Sequence, residues 1–344
     1  MNVLITGGCG FLGTNLCLYF KRRGAEVVAY DNLAKHEFMR NPYIKPEARL
    51  HNKITLEKSG VEVVVADVRD KETLQKKAEA CDYICHTAAQ PAMTISWEDP
   101  ELDFSTNVVG TFNVLEVARR LQIPAAICSS IHTYGPDKIN SSLKEKATRY
   151  ARRPAAINED EPLLQGMVTP LHASKRCNEI YAQSYIDTYG MKVACFRLTG
   201  IYGPYQFGGE DHGWVANFSI RALVGVPITI FGTGKQLRDI LFAEDVCEAF
   251  DAFYRKPVPG IYTLGGGKEN MISLLESLKL IEDLTGGEPQ VQFEPERRGD
   301  LRYFVADSSR FTRATGWEPR VRPRQGVERL LNWVKANRGL FADA

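Results

Sequence analysis

The sequence has no run of about 18 apolar residues, so no segment reads as a membrane-spanning helix. It has no excess of one charge: 43 Lys and Arg face 42 Asp and Glu, a formal net charge of +1. That balance exerts no global pull toward nucleic acid or an anionic membrane, so phosphate must be recognised locally. The eight cysteines are scattered without a C-x-x-C pair. Reduced thiols in a cytoplasm are therefore expected and no metal site, with Cys128 and Cys195 serving as small hydrophobes in apolar runs. The N-terminus lacks a basic stretch followed by an apolar stretch and a cleavage site. Strand-like sequence starts at Asn2, and no signal peptide is expected. There is no internal repeat and no low-complexity tract. What is present, 44% apolar and 25% charged residues over 344 positions, excludes a disordered chain, a collagen and a disulfide-knotted miniprotein. The length exceeds what one core usually serves, so two lobes are expected.

Short apolar runs alternate with helical patterns through the first half. The runs are Val3–Thr6, Glu26–Tyr30, Val61–Ala66, Tyr83–Cys85, Ala125–Cys128 and Lys192–Leu198; the helical patterns include Phe11–Arg23, Lys71–Ala80, Asp103–Leu121 and Ser174–Tyr189. This rhythm predicts a parallel sheet covered on both faces. Leu33–Gly60 reads as a long polar connection. Asp137–Ala156, rich in Lys and Arg, reads as a solvated loop or helix face, with a lid as the alternative. After Pro204, Gly-rich turns and isolated aromatics take over. Helices are expected at Glu244–Arg255, Leu274–Leu284 and Gly326–Asn337, and a strand at Gly260–Leu264.

Gly7-Gly8-Cys9-Gly10-Phe11-Leu12-Gly13 joins the first strand to the first helix. Glycines there permit a tight turn and let a pyrophosphate reach backbone N–H groups at a helix N-terminus. Asp31 ends the second strand, 18 residues beyond Gly13. A carboxylate at that place accepts hydrogen bonds from a ribose diol and repels a 2′-phosphate, which favours NAD over NADP. Lys35 is the one nearby cation that could soften the discrimination.

Further segments extend this pattern: Asp67-Val68, His86–Gln90, Asn107–Thr111, Ser129–Gly135, Ser174-Lys175, Arg197, Tyr202–Pro204, Arg238-Asp239, Glu244–Val246 and Arg298–Asp300. With Gly7–Gly13 and Asp31-Asn32, they make the chain resemble the extended short-chain dehydrogenases/reductases of the nucleotide-sugar epimerase and dehydratase kind. Gln90–Thr94, Gln206-Phe207 and Asp211–Val215 resemble the CDP-paratose/CDP-tyvelose 2-epimerases within that family. The resemblance implies an α/β Rossmann-like doubly wound parallel sheet with a smaller, discontinuous C-terminal substrate lobe. Residues 1–205 and 236–265 would bind NAD; residues 206–235 and 266–344 would hold the substrate. It also implies that Gly7, Gly10, Phe11, Leu12, Gly13, Asp31, Asn32, Asp67, Val68, Ala88, Ala89, Gln90, Asn107 and Lys175 serve the cofactor. Ser130 would contact a substrate hydroxyl. Gln206, Trp214, Asn217, Arg238 and Arg298 would bind the sugar nucleotide, a CDP-sugar by preference, the arginines clamping its diphosphate. Helices Asp103–Leu121 and Ser174–Tyr189, with Phe104, Val108, Phe112, Leu115, Leu121, Ile180, Tyr181 and Tyr185, would form a homodimer interface.

One position departs from the family pattern Tyr-x-x-x-Lys. The segment here is Leu171-His172-Ala173-Ser174-Lys175, and leucine cannot take a proton. His132, two residues before Tyr134, and His172 are the candidate substitutes, because an imidazole suits proton transfer near neutrality. His132 is favoured, since the resemblance places it toward the sugar, whereas one helical step turns His172 by about 100° from the vacant position. The reading is an NAD-dependent nucleotide-sugar epimerase acting through a keto intermediate. Its rivals are another nucleotide-sugar reaction using His132, such as dehydration, and a catalytically silent binding protein.

Overall fold

Val3, Leu4 and Ile5 are fully buried, as an interior strand covered on both faces requires. The computed structural model describes residues 1–34 and 40–342; Lys35 lies outside the described residues. Seven parallel strands form the central sheet: β1 (Asn2–Thr6), β2 (Glu26–Asp31), β3 (Glu62–Val65), β4 (Tyr83–His86), β5 (Ala125–Ser130), β6 (Val193–Leu198) and β7 (Gly260–Leu264). Their order is β7-β6-β5-β4-β1-β2-β3. The order reverses at β1, whose Ile5 pairs with Ala29 of β2 on one side and Cys85 of β4 on the other. Ligands of open parallel sheets bind at the strand C-termini beside such a reversal.

One face of the sheet is covered by α1 (Phe11–Arg22) and helix Ala243–Arg255, which bury Leu16, Phe20, Phe250 and Phe253. The other is covered by helices Gly110–Leu121 and Pro170–Tyr189, through Val114, Leu115, Ala182 and Tyr185. A separate core joins Tyr43, Phe218, Ile228, Ile230, Leu330 and Val334.

Three expectations change in detail. Leu33–Gly60 is not simply a connection: α2 (Ala48–Lys58) lies within it, burying only Ala48, Asn52 and Leu56. So thin an apolar stripe leaves little periodic signal. Helix Pro170–Tyr189 starts four residues before Ser174, because Pro170 occupies the first helical position, where its missing N–H costs nothing. Asp103–Leu121 is interrupted by a π-helical turn at Phe104–Val109. The basic Asp137–Ala156 run uses cations in ion pairs, Arg149 with Glu276 and both Lys138 and Arg152 with Glu161.

A buried carboxylate ties the helix Pro170–Tyr189 to the sheet. Glu179 is completely buried, accepts from Arg197 of β6 at 2.8 and 2.9 Å, and accepts from Ser129 of β5 at 2.8 Å. Arg176, one turn earlier, donates to it at 2.9 Å. Removing one partner of a buried pair leaves the other uncompensated. Arg197→Met is therefore expected to lower unfolding free energy by about 3–5 kcal/mol, measured by urea denaturation.

Candidate functional site

A cleft of about 760 Å³ opens at the sheet's C-terminal edge, bordered by Gly7, Asp31, Ser130, Lys175, Arg238 and Phe231 among others. Its first wall is the glycine turn. Gly7 has φ +67°, and a Cβ there would stand 2.6 Å from the backbone N of Ala88. A Cβ on Gly13 would stand 2.0 Å from the carbonyl oxygen of Gly7, so this glycine seats α1 against the turn and does not itself line the cleft. Gly10 caps α1 with no side chain, so the first turn's N–H groups face outward without a side-chain acceptor. Gly10, Phe11 and Leu12 all border the cleft. This cradle fits a pyrophosphate.

Asp31 borders the same wall and accepts from the backbone N of Cys9 at 2.9 Å and of Leu33 at 2.7 Å. Each carboxylate oxygen retains a lone pair for a diol. Val68 and Asn32 also line the wall, whereas Asp67 stands behind it. Three bonds from Arg69, one of them from its backbone N, and one from Asn32 occupy Asp67 and hold its carboxyl well below the usual range. Ala88, Ala89 and Gln90 form the floor. Asn107, in the π-helical turn, does not reach the cleft; its amide accepts from the backbone N of Gln90 at 2.9 Å and donates to its carbonyl at 3.0 Å. It buttresses the floor.

At the centre, Ser130 ends β5 and its Oγ accepts from the backbone N of His132 at 3.2 Å. Lys175 is buried, its Nζ donating to the Cys128 carbonyl at 3.4 Å, and burial pushes its pKa down. Leu171 stands one turn before it, 2% exposed and on the cleft wall. His132 lines the cleft with a buried Nδ1 that has no hydrogen-bond partner. Desolvation, then His172 and the Arg238 charge, hold its pKa down to about 3, so the ring is neutral at physiological pH.

Two more expected site residues, besides Gly13, Asp67 and Asn107, do not line the cleft. His172 does not line the cleft: Thr169 Oγ1 lies 2.5 Å from its Nδ1 and the Thr169 backbone N 3.1 Å from it, completing a capping box. The same i, i+3 geometry that makes it a cap turns it away from the vacancy at Leu171. Arg298 is exposed outside the cleft, and Arg297 occupies the wall instead. The chain turns at Gly299, φ +74°, and such a loop has no period from which to tell which of two adjacent arginines faces inward.

Gln206, Trp214, Asn217 and Arg238 line the distal cleft. Arg238 faces Asp300 at 3.6 Å, and burial pushes its pKa down. The sequence reading missed Glu210, Asp211, His212, Phe231, Gln236, Arg297 and Asp300, which share this wall. The only available signal was that Asp211, His212 and Asp300 fall in segments already singled out by resemblance.

A Rossmann-type sheet with this glycine cradle, Asp31 and Lys175 around one cleft defines a dinucleotide-dependent protein. Residues 3–265 match the NAD dependent epimerase/dehydratase family. CDP-paratose 2-epimerase of Salmonella typhi is 33% identical over 348 residues, covering 98% of this chain and 100% of that protein. UDP-glucose 4-epimerase of Mycolicibacterium smegmatis is 30% identical, covering 97% and 99%. The structure of Thermus thermophilus UDP-glucose 4-epimerase complexed with NAD superposes with a TM-score of 0.78 at 30% identity, over 98% of this chain and 100% of that one. The chain belongs to the NAD-dependent epimerase/dehydratase family of nucleotide-sugar enzymes, and its cofactor is NAD. Among the described residues no helix is long and apolar enough to cross a membrane.

Two predictions follow from this geometry. Asp31→Ala is expected to narrow the preference for NAD over NADP, measured by titration calorimetry; a tighter NADP affinity in the unaltered protein would contradict the role given to Asp31. The second concerns acid. His86, between Thr6 Oγ1 at 2.7 Å and Thr111 Oγ1 at 3.0 Å, has its pKa lowered by burial to about 3. With His132 at about 3 and His172 at about 4, three folded-state values lie below the ordinary 6.5. The unfolded chain then binds protons that the folded chain refuses, so stability is complete above pH 6.5 and is lost as pH falls below it. At pH 5 each histidine is expected to cost about 2 kcal/mol. Chemical denaturation at pH 7 and 5 measures the loss, and His86→Asn reduces it.

Proposed function

We propose that the protein epimerises a CDP-sugar, oxidising carbon 2 to a ketone and re-reducing it from the opposite face. The observation that carries a polyhydroxy substrate is the set of buried polar atoms left without partners. His132 Nδ1, Gln206 Oε1, His212 Nδ1 and Gln236 Oε1 all belong to residues lining this cleft. Buried polar groups are normally paired, and a ligand bearing hydroxyl and amide groups would pair these. The CDP assignment draws on the 33% identity to CDP-paratose 2-epimerase.

Bound NAD supplies hydride acceptance and return. The residues of the chain orient the sugar and handle its proton. Arg238 faces the diphosphate with a buried guanidinium. Ser130 Oγ hydrogen-bonds a sugar hydroxyl. His132, neutral because it is desolvated, accepts the hydroxyl proton as the carbonyl forms and returns it when the alcohol is restored. Buried Lys175 supplies a local donor toward the ribose. Leu171 only closes the wall, which is the feature that favours the rival reading of a silent binding protein.

The cleft domain would pair in a homodimer. Phe104, Phe112, Ile180 and Tyr181 are 57%, 37%, 52% and 43% exposed on adjacent helices, whereas Val108, Leu115 and Tyr185, also expected at that interface, are buried inward. A dimeric mass by light scattering is the expected result.

The test of the reaction is single-turnover absorbance at the reduced-cofactor band with CDP-sugars. His132→Asn is expected to slow reduction 100- to 10,000-fold, the usual worth of a positioned acid–base group. Because the folded-state pKa is about 3, the rate is expected to show no step near pH 6.5 and to fall only toward stronger acid. Adding Leu171→Tyr to His132→Asn is expected to restore part of the rate. Absence of reduction in every variant, with both ligands bound, would establish the silent reading instead.

A further inference from the structure

The wall farthest from the glycine turn carries a fixed carboxylate that the reaction does not use. Glu210 lines the cleft, and its Oε1 accepts from Arg221 Nη2 at 2.8 Å and from Thr229 Oγ1 at 3.0 Å. Thr229 is itself held by Gln292, whose Nε2 donates to it at 2.9 Å. The other oxygen, Oε2, has no hydrogen-bond partner among the described residues. A carboxylate that borders the cleft, pinned by one oxygen and 38% exposed with the second oxygen unpaired, is an oriented acceptor.

Its place along the cleft follows from contacts. The Arg238 charge acts on His132, and Arg238 faces Asp300 at 3.6 Å. Gln236, two residues before Arg238, donates to the Phe231 carbonyl at 2.6 Å. Thr229 lies on the same strand, Ile228–Phe231, and binds Glu210. The order from the reacting centre is therefore proton acceptor, phosphate-facing arginine, aromatic ring, carboxylate. A nucleotide whose sugar sits at His132 and whose diphosphate faces Arg238 brings its base to Phe231 and Glu210. Arg297, stacked 3.8 Å over Phe231, donates to the Glu210 carbonyl oxygen at 2.8 Å and fixes that segment.

We infer that Glu210 selects the base by accepting a hydrogen bond from its amino group. Ionised carboxylates only accept. Cytosine offers a 4-amino donor at the position where uracil and thymine offer a carbonyl oxygen, which the carboxylate repels. Guanine also offers N–H donors, so the recognised chemistry is a base edge that donates, and cytosine is the pyrimidine that has it. This rests on the sugar-nucleotide reading of the cleft and gives its CDP preference a residue.

The experiment measures the affinities of CDP, UDP, dTDP and GDP for the NAD-loaded protein by calorimetry, in the unaltered form and in Glu210→Gln. The unaltered protein is expected to bind CDP roughly 10-fold or more tightly than UDP and dTDP. The amide of Glu210→Gln both donates and accepts, so the CDP-to-UDP ratio is expected to fall to within about threefold, chiefly because UDP gains. A role limited to holding Arg221 would weaken all four nucleotides together and leave the ratio unchanged; that result in a CDP-preferring protein overturns the inference while sparing the CDP-sugar reading. Preference for GDP, abolished in Glu210→Gln, supports the carboxylate as reader and overturns the CDP assignment. Equal binding of CDP and UDP by the unaltered protein overturns both. Thr229→Val removes one bond to Glu210 Oε1 while retaining the carboxylate; an intermediate ratio supports the same reading, and the unaltered ratio counts against it.

Discussion

The buried ion pair between Glu179 and Arg197 holds the site in register. Lys175 and Leu171 lie one and two turns before Glu179 on a single helix, while Ser129 and Arg197 belong to neighbouring strands. Glu179 binds both strands from that helix, so the wall bearing Lys175 cannot slide against the strand end bearing Ser130 without breaking buried charge-assisted bonds. Asn107 performs the matching task on the floor, holding the Gln90 backbone and donating from Nδ2 to Ser174 Oγ at 3.2 Å. These groups fix positions; the chemistry is left to what borders the cleft.

At the cleft's centre, the family's tyrosine position is occupied by an apolar side chain, and the environment changes character with it. Leu171 and the neutral His132 set an apolar side chain and an uncharged imidazole at this centre, beside the buried Lys175. In the proposed reaction a neutral imidazole in such a place would gain a proton only as negative charge develops on the substrate oxygen, which would couple its protonation to the departure of hydride. The paired rings of His132 and His172, 5.4 Å apart, share the desolvation but not the access.

The distal wall is densely charged. Arg238, Arg297, Glu210, Asp211 and Asp300 border it, with Arg297 facing Asp211 at 3.7 Å. With two arginines and three carboxylates, the wall would meet a diphosphate through its cations and a base edge through its anions in the proposed reading, in a chain whose net charge is only +1.

The amino-acid sequence by itself determined the sheet and the cofactor turn. Apolar strands, helices in alternation and Gly7–Gly13 at a strand-to-helix junction are local patterns, and backbone sterics leave them few alternatives. It also determined that leucine stands at position 171, since that requires only reading the letter four places before Lys175. It did not reveal α2, whose buried stripe is three residues, or the start at Pro170. Only the tertiary structure separated Arg297 from Arg298, and only it showed His172, already the less favoured histidine, engaged as a helix cap. Both depend on which way a side chain points from a cap or a turn, and that direction is set by packing between distant segments. Glu210 became legible for the same reason: its orientation is imposed by Arg221 and Thr229, 11 and 19 residues away in the chain.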